Sequence, residues 1–237
     1  QGILTSKMPD KKTKVVDEII RRLSTVETSD GLVQYNVSKP MKLKASDFGV
    51  PQERIRIFIM AVRSDLNTTP TEESLRTFTS HFAQEDTHTL RVLKGVEGLP
   101  NSEDIWELSP QQKILIPYIS RSWKNVPYDV LPLRFRKIRD QIKKYRNPNF
   151  YRRFGLSEIN GTITAAAQPE NCGILHPLYN RRYSVREIAR IQSFPDDFTF
   201  SSVSMRNKYK VIGNAVPPIL AHTFAQYCHD ILIKHSP

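Results

Sequence analysis

A strand-like run, "IRIFIMAV" at residues 55–62, follows a Phe-Gly-Val-Pro turn and constrains the fold more than any other segment. Its β-branched and aromatic residues predict a buried strand. Buried strands tolerate few charges, yet Arg54 and Arg56 stand at its start, with Gln52 in the preceding turn. Side chains alternate along a strand, so this spacing puts both guanidiniums on one face. On this segment alone two readings compete: an edge-strand arginine pair bonded to carboxylates, and a ligand site rich in acceptors.

The flanking pattern indicates how the strand is used. Residues 11–29 carry Val15, Val16, Ile19, Ile20 and Leu23 at helical spacing, which predicts an amphipathic helix with one buried stripe. "GLVQYNVSKPMKLKA" then alternates loosely, as a strand or hairpin arm does. From Ser64 to about Asn180 the pattern breaks into short pieces separated by Pro, Asn and Gly, which predicts a separate, loop-rich module. Order returns at Ser184, where "SVRE" is a capping box: Ser184 caps the Glu187 amide while Glu187 reaches back. Ile188 and Ile191 supply the buried stripe of that helix, and "SFPDDF" ends it. In the last segment Gly213 and Asn214 are expected to make a turn, and Pro217 and Pro218 suit the first turn of a helix. Ile219, Leu220, Phe224, Tyr227, Cys228 and Ile231 would form that helix's buried stripe. A module bracketed by two regular segments suggests an insertion into an α/β domain.

Composition narrows the partners. The chain has 237 residues, is 39% hydrophobic and carries a net charge of +11, with a pI near 9.7, which favours a polyanion. The charge is uneven. Acids predominate from Asp65 to Leu108, so residues 64–132 read as scaffold. Between Arg134 and Arg153 a basic run (Arg134, Arg136, Lys137, Arg139, Lys143, Lys144, Arg146, Arg152, Arg153) faces the single acid Asp140, with aromatics interleaved towards its end. No apolar run reaches membrane-spanning length, and the start lacks a signal-peptide profile and an initiator methionine, as a chain cut from something longer would. Cys172 and Cys228 form no C-x-x-C pair, which fits a reducing, cytoplasmic setting. The histidines show no zinc-ligand spacing, so no metal is expected, and His176, before Pro177, is placed to touch a phosphate.

Three segments in order carry a family resemblance. "DFGVPQERIR" resembles the glutamine–arginine–arginine motif of the C5-cytosine DNA methyltransferases, "REIARIQSFPDDFTF" resembles their ninth motif and "KYKVIGNAVPP" their tenth. The long variable stretch between the first two is where that family keeps its target-recognition region. "QGILTSK" resembles the residues after its Glu-Asn-Val motif. The Pro-Cys nucleophile motif, Glu-Asn-Val and the Phe-x-Gly-x-Gly cofactor loop do not occur in this sequence. "PENCG" at 169–173 stands in the wrong order to supply the nucleophile.

The resemblance implies an α/β fold: the C-terminal part of a class I S-adenosylmethionine-dependent methyltransferase sheet with a smaller, loop-rich target-recognition domain inserted. Residues 1–63 would give the last strands and a helix of the catalytic domain. Residues 64–183 would form the recognition domain, and residues 184–237 the return segment and C-terminal helix. The implied reaction moves a methyl group from S-adenosylmethionine to C5 of a cytosine flipped out of duplex DNA, in a prokaryotic restriction–modification setting. In the family a cysteine thiolate adds to C6 and a glutamate assists near N3. Flipping costs about a few kcal/mol, which contacts to the extruded base must offset.

The same resemblance assigns roles. Arg56 would reach the flipped cytosine and stabilise charge on its O2, Arg54 would hold the neighbouring DNA backbone, and Gln52 would position the turn. Asn214 and Ala215 would close the cofactor pocket, helped by the free amides of the following helix. Arg186 and Glu187 would organise the recognition region through an internal salt bridge. In "GTITAAA", Thr162 would hold a phosphate beside the flipped base, with Thr164 assisting. Arg134 and Arg136 would clamp phosphates, and Arg152, Arg153 and Gln168 are base-reading candidates because their side chains make bidentate contacts. Without nucleophile, glutamate and cofactor loop the chain by itself is expected to be inactive. Two alternatives stand beside this one: a natural second subunit that assembles with an N-terminal methyltransferase half, and a non-catalytic, sequence-specific DNA-binding module.

Overall fold

The computed structural model describes residues 2–80, 86–141, 151–165 and 173–234. Along the chain run α1 (Gly2–Thr5), α2 (Val15–Ser24), β1 (Thr25–Thr28), β2 (Gly31–Val37), β3 (Met41–Lys44), β4 (Gln52–Glu53), β5 (Ile55–Phe58), β6 (Ala61–Arg63) and α3 (Glu72–Thr79). There follow α4 (Thr89–Leu93), α5 (Pro110–Leu115), α6 (Leu133–Gln141), β7 (Arg152–Arg153), β8 (Asn160–Gly161), β9 (Ile174–Leu175), α7 (Val185–Ile191), α8 (Met205–Asn214) and α9 (Pro218–Lys234). The chain folds as two compact units, one of residues 1–48, 55–84 and 220–237, the other of residues 49–54 and 85–219.

In the first unit β1, β2 and β6 form an antiparallel sheet, and β3 pairs antiparallel with β5. β2 and β3 thus run along β6 and β5 as one interrupted ribbon. Ser38 stitches the interruption: its N–H donates to the Met60 carbonyl (2.8 Å), and its hydroxyl accepts from the Met60 N–H (2.9 Å). Met41, Leu43 and Leu75 are buried, as are Leu220, Tyr227 and Ile231 of α9. Phe58 stacks on Phe224 with ring centroids 4.6 Å apart.

Several expectations change here. The 55–62 run is two short strands, not one, and none of its residues is fully buried; Ile55 is 41% exposed. The helix expected over 11–29 spans Val15–Ser24 and gives way to β1. In α9, Cys228 is exposed and outside the buried stripe. Among the described residues the parallel pairings are the two-residue contacts β4–β8 and β7–β9, both in the second unit.

The second unit holds two apolar clusters. One joins Leu115, Ile116, Ile119, Trp123, Phe135, Tyr151 and Leu175. The other gathers Phe154, Ile163 and Ile174 around α7 (Val185, Ile188, Ala189, Ile191) and α8 (Tyr209, Ile212). The units divide at 48/49, 54/55, 84/85 and 219/220. Within the second unit α7 has buried residues on every side and must be surrounded; Phe154, Ile163, Ile174 and α8 pack around it. Its N-terminus is the expected capping box, with Ser184 Oγ accepting from the Glu187 N–H (3.2 Å) and Glu187 Oε2 accepting from the Ser184 N–H (2.6 Å).

Candidate functional site

Gln52 stands at the centre of the second unit, 0% exposed. β4 pairs parallel with β8, setting Gln52 opposite Asn160 and Glu53 opposite Gly161. The Gln52 side chain continues that contact. Its Oε1 accepts from the Ile163 N–H (2.9 Å), and its Nε2 donates to Gln192 Oε1 (2.5 Å) and to the Ile191 carbonyl (3.3 Å). Gln192 Nε2 in turn donates to the Ala215 carbonyl (2.6 Å). The three motif segments that are far apart in sequence meet here, around Ile163. Gln192, the residue that completes the link, went unmarked in the sequence. Its one sequence signal is a lone amide between Ile191 and the Ser-Phe-Pro stop of α7.

Arg54 is buried, at 5% exposure, and its guanidinium bonds carbonyls of its own chain. Its Nη1 donates to the Ile163 carbonyl (2.8 Å) and its Nη2 to the Gly213 carbonyl (2.9 Å). Arg56 is exposed, and its Nη1 donates to the carbonyl of its neighbour Ile55 (2.8 Å). The expected shared face fails because Arg54 lies between β4 and β5, outside either strand, where period-two alternation does not apply. Thr162 Oγ1 donates to the Glu53 carbonyl (2.8 Å), whereas Thr164 is exposed.

Gly213 and Asn214 end α8 instead of forming a separate turn. A Cβ at Gly213 would lie 2.6 Å from the carbonyl carbon and oxygen of Thr164, so only glycine lets α8 approach the Thr162–Thr164 backbone this closely. Asn214 is exposed, and the Ala215 N–H donates to the Val211 (3.1 Å) and Ile212 (3.2 Å) carbonyls. The start of α9 offers fewer free amides than expected. Pro217 and Pro218 have none, and the Ile219 N–H donates to Ser193 Oγ (3.1 Å). Of this set Asn214 presents an exposed polar side chain.

Arg186 makes no ion pair of the kind expected of it. Fully buried, it donates to the carbonyls of Pro100 (2.7 Å), Pro195 (2.9 Å) and Phe198 (2.5 Å), which pins the loops at both ends of α7. The salt bridge belongs to Glu187, held by Arg181 at 2.8 and 2.9 Å. Burial pushes the Glu187 carboxyl up, but bonds from Arg181, His176 and the Ser184 N–H outweigh it and bring the group down to about 2. His176 is 2% exposed, and its Nδ1 accepts from the Leu178 and Tyr179 N–H groups (both 3.1 Å). Its proton therefore sits on Nε2, 3.4 Å from Glu187, and it is closed to phosphate.

Three of the six described residues of the basic run, Arg136, Arg139 and Arg153, are spent on the fold. Arg136 donates to the Leu131 (2.7 Å) and Asp129 (2.6 Å) carbonyls, and Arg139 to those of Lys124 (3.2 Å) and Val126 (2.9 Å). Arg153 donates to the Ile119 (3.0 Å), His176 and Tyr179 (2.8 Å) carbonyls and to Asn180 Oδ1 (3.0 Å), which leaves it no bidentate face for a base. The half-buried Arg152 covers the Phe154 ring at 4.3 Å, and Arg134 is exposed. Gln168, Cys172, Lys143, Lys144 and Arg146 lie outside the described residues. Among the described residues no cluster of three or more potential metal ligands occurs, and no helix is long and apolar enough to cross a membrane.

Comparison with known proteins gives one family. The model of the C-5 cytosine-specific DNA methylases matches residues 7–229. The type II methyltransferase M.Eco47II of Escherichia coli is 31% identical over 226 residues, covering 90% of this chain and 51% of that protein. M.DdeI of Desulfomicrobium norvegicum is 29% identical over 223 residues, covering 78% and 52%. The chain thus spans about half the length of these relatives. In fold it is similar to the Dnmt2 methyltransferase of S. pombe, with a TM-score of 0.59 at 14% identity over 98% of this chain and 64% of that one. With all three motif segments bonded to one another, and a family match over nearly its whole length, this chain belongs to the C-5 cytosine-specific DNA methylases.

Proposed function

We propose that this chain is the C-terminal part of a DNA (cytosine-5) methyltransferase of a type II restriction–modification system, carrying the target-recognition module. The observation that carries the reading is the direct bonding of Gln52, Gln192 and Ala215 around Ile163, which ties the segments resembling the eighth, ninth and tenth motifs to the Thr162–Thr164 segment. S-adenosylmethionine, when bound, supplies the methyl group.

The residues divide into three kinds of work. Arg56 offers the exposed guanidinium to the flipped cytosine, where a permanently protonated fork stabilises charge on O2. Thr164 and Arg134 offer exposed donors to the phosphate backbone, which position the duplex without reading it. Asn214 faces the cofactor. Arg54, Gln52, Thr162, Arg153, Arg186 and Glu187 hold these groups in place through bonds within the protein. Nucleophile, acid and cofactor loop come from an N-terminal half, in the same chain or as a separate subunit.

The test is reconstitution. The chain is assayed with tritiated S-adenosylmethionine and unmethylated phage DNA, alone and together with a half carrying Pro-Cys, Glu-Asn-Val and Phe-x-Gly-x-Gly. The expected result is label in DNA C5 only for the pair. Transfer by the chain alone, or none by a correctly assembled pair, would overturn the reading.

A further inference from the structure

The side-chain amides of Gln52 and Gln192 form a relay with main-chain groups at both ends. The Ile163 N–H enters at Gln52 Oε1, and the Ala215 carbonyl receives from Gln192 Nε2, with the Gln52–Gln192 bond between them. Both side chains are 0% exposed. The ends set the orientation of each amide. Reversing the two glutamines would face an NH2 to the Ile163 N–H and an oxygen to the Ala215 carbonyl. A relay from a main-chain donor to a main-chain acceptor needs side chains that both accept and donate, which is what an amide does. Arg54 adds a second arm between the same places, from the Ile163 carbonyl to the Gly213 carbonyl. Both polar main-chain groups of Ile163 are therefore held by side chains that lead to residues 213–215, Arg54 directly and Gln52 through Gln192.

We propose that Gln192 is a positioning residue that sets the Asn214–Ala215 end of α8 against the Thr162–Thr164 segment, and so adjusts the cofactor side and the DNA side of the site together. This rests on the function proposed above. Gln192 touches neither ligand; it acts through Ala215 at one end and, through Gln52, Ile163 at the other. A glutamine that merely filled space would lower stability on replacement and leave ligand affinity per folded molecule unchanged.

Gln192→Met keeps the length of the side chain and removes both relay bonds. In the assembled enzyme it should raise KM for S-adenosylmethionine and for phage DNA about tenfold each, the equivalent of one lost hydrogen bond, with kcat changed by less than about threefold. Calorimetric Kd for S-adenosylmethionine should rise in parallel, without turnover. In the chain by itself the Ile163 amide, remote from the substituted atoms, should exchange with deuterium about tenfold faster. Gln192→Glu keeps the acceptor for Gln52 and loses the donor for Ala215. It should therefore raise KM for S-adenosylmethionine while Ile163 exchange and KM for DNA stay at wild-type values, and it carries the test if the methionine variant does not fold. Wild-type KM values, a fall in kcat alone, or unchanged Ile163 exchange in Gln192→Met would each overturn the proposal. An inactive wild-type assembly would instead overturn the function proposed above. The relay would then be judged by Ile163 exchange and S-adenosylmethionine affinity, where wild-type values in Gln192→Met would still sink it.

Discussion

Arg54 shows how a charged side chain can serve the fold: a planar fork satisfies two carbonyls from distant segments at 2.8 and 2.9 Å. Arg54→Lys places one ammonium where two diverging carbonyls need donors, so one is left underbonded. The expected loss is about 1–3 kcal/mol, read from the urea midpoint; a shift below a few tenths of a kcal/mol would show that the fork is dispensable. Glu187 makes a prediction in pH. Its folded-state value near 2 lies below the ordinary carboxylate value of 4.5, so its contribution is present above about pH 4.5 and is lost as pH falls towards 2. Glu187→Gln should therefore be less stable than wild type at pH 7, and the gap should narrow from about pH 5 to pH 2. A gap independent of pH would mean that packing, not the Arg181 ion pair, sets the cost.

At the scale of elements the notable contact is between α8 and the Thr162–Thr164 segment that follows β8. Gly213 is placed within a helix, where it costs up to about 1 kcal/mol relative to alanine. The return is close approach, because a Cβ there would meet the Thr164 carbonyl at 2.6 Å. Gly213→Ala should consequently destabilise the protein by about 1–3 kcal/mol against its gain in helix propensity, seen as a lower thermal midpoint. A raised midpoint would mean that α8 can withdraw from the Thr164 backbone without loss. The same approach lets Arg54 span the two carbonyls, so Arg54→Lys and Gly213→Ala should be non-additive.

For the molecule as a whole, net charge overstates the DNA-binding surface. The formal charge is +11, but Arg136, Arg139, Arg153 and Arg186 donate to carbonyls of their own chain. Salt dependence of duplex binding separates the two populations, since only side chains that reach phosphate release counterions. Arg134→Ala should reduce the slope of log K against log salt by about one, with thermal stability unchanged. Arg153→Ala should leave the slope unchanged and lower stability. The opposite pattern would return Arg153 to the interface and remove Arg134 from it.

Local chemistry was legible in the sequence and long-range pairing was not. The Ser184–Glu187 capping box depends on atoms three residues apart, and it forms as the sequence indicates. The order of the three motif segments likewise identifies the family without coordinates. What a given arginine does was decided elsewhere. Nothing within ten residues of Arg54 distinguishes a DNA contact from a clamp on Ile163 and Gly213, because both partners lie more than a hundred residues away. The 55–62 run reads as buried from its composition, yet burial is a property of what covers a strand, and Ile55 is 41% exposed. Gln192 is one amide among many until the fold brings the Nε2 donor of Gln52 and the carbonyl of Ala215 to its two ends. Helix caps and motif order are therefore determined by sequence alone, since their physics is short-ranged. The assignment of each buried polar group to a partner was decided only by the tertiary structure, because a hydrogen bond needs its second atom in place before it has a meaning.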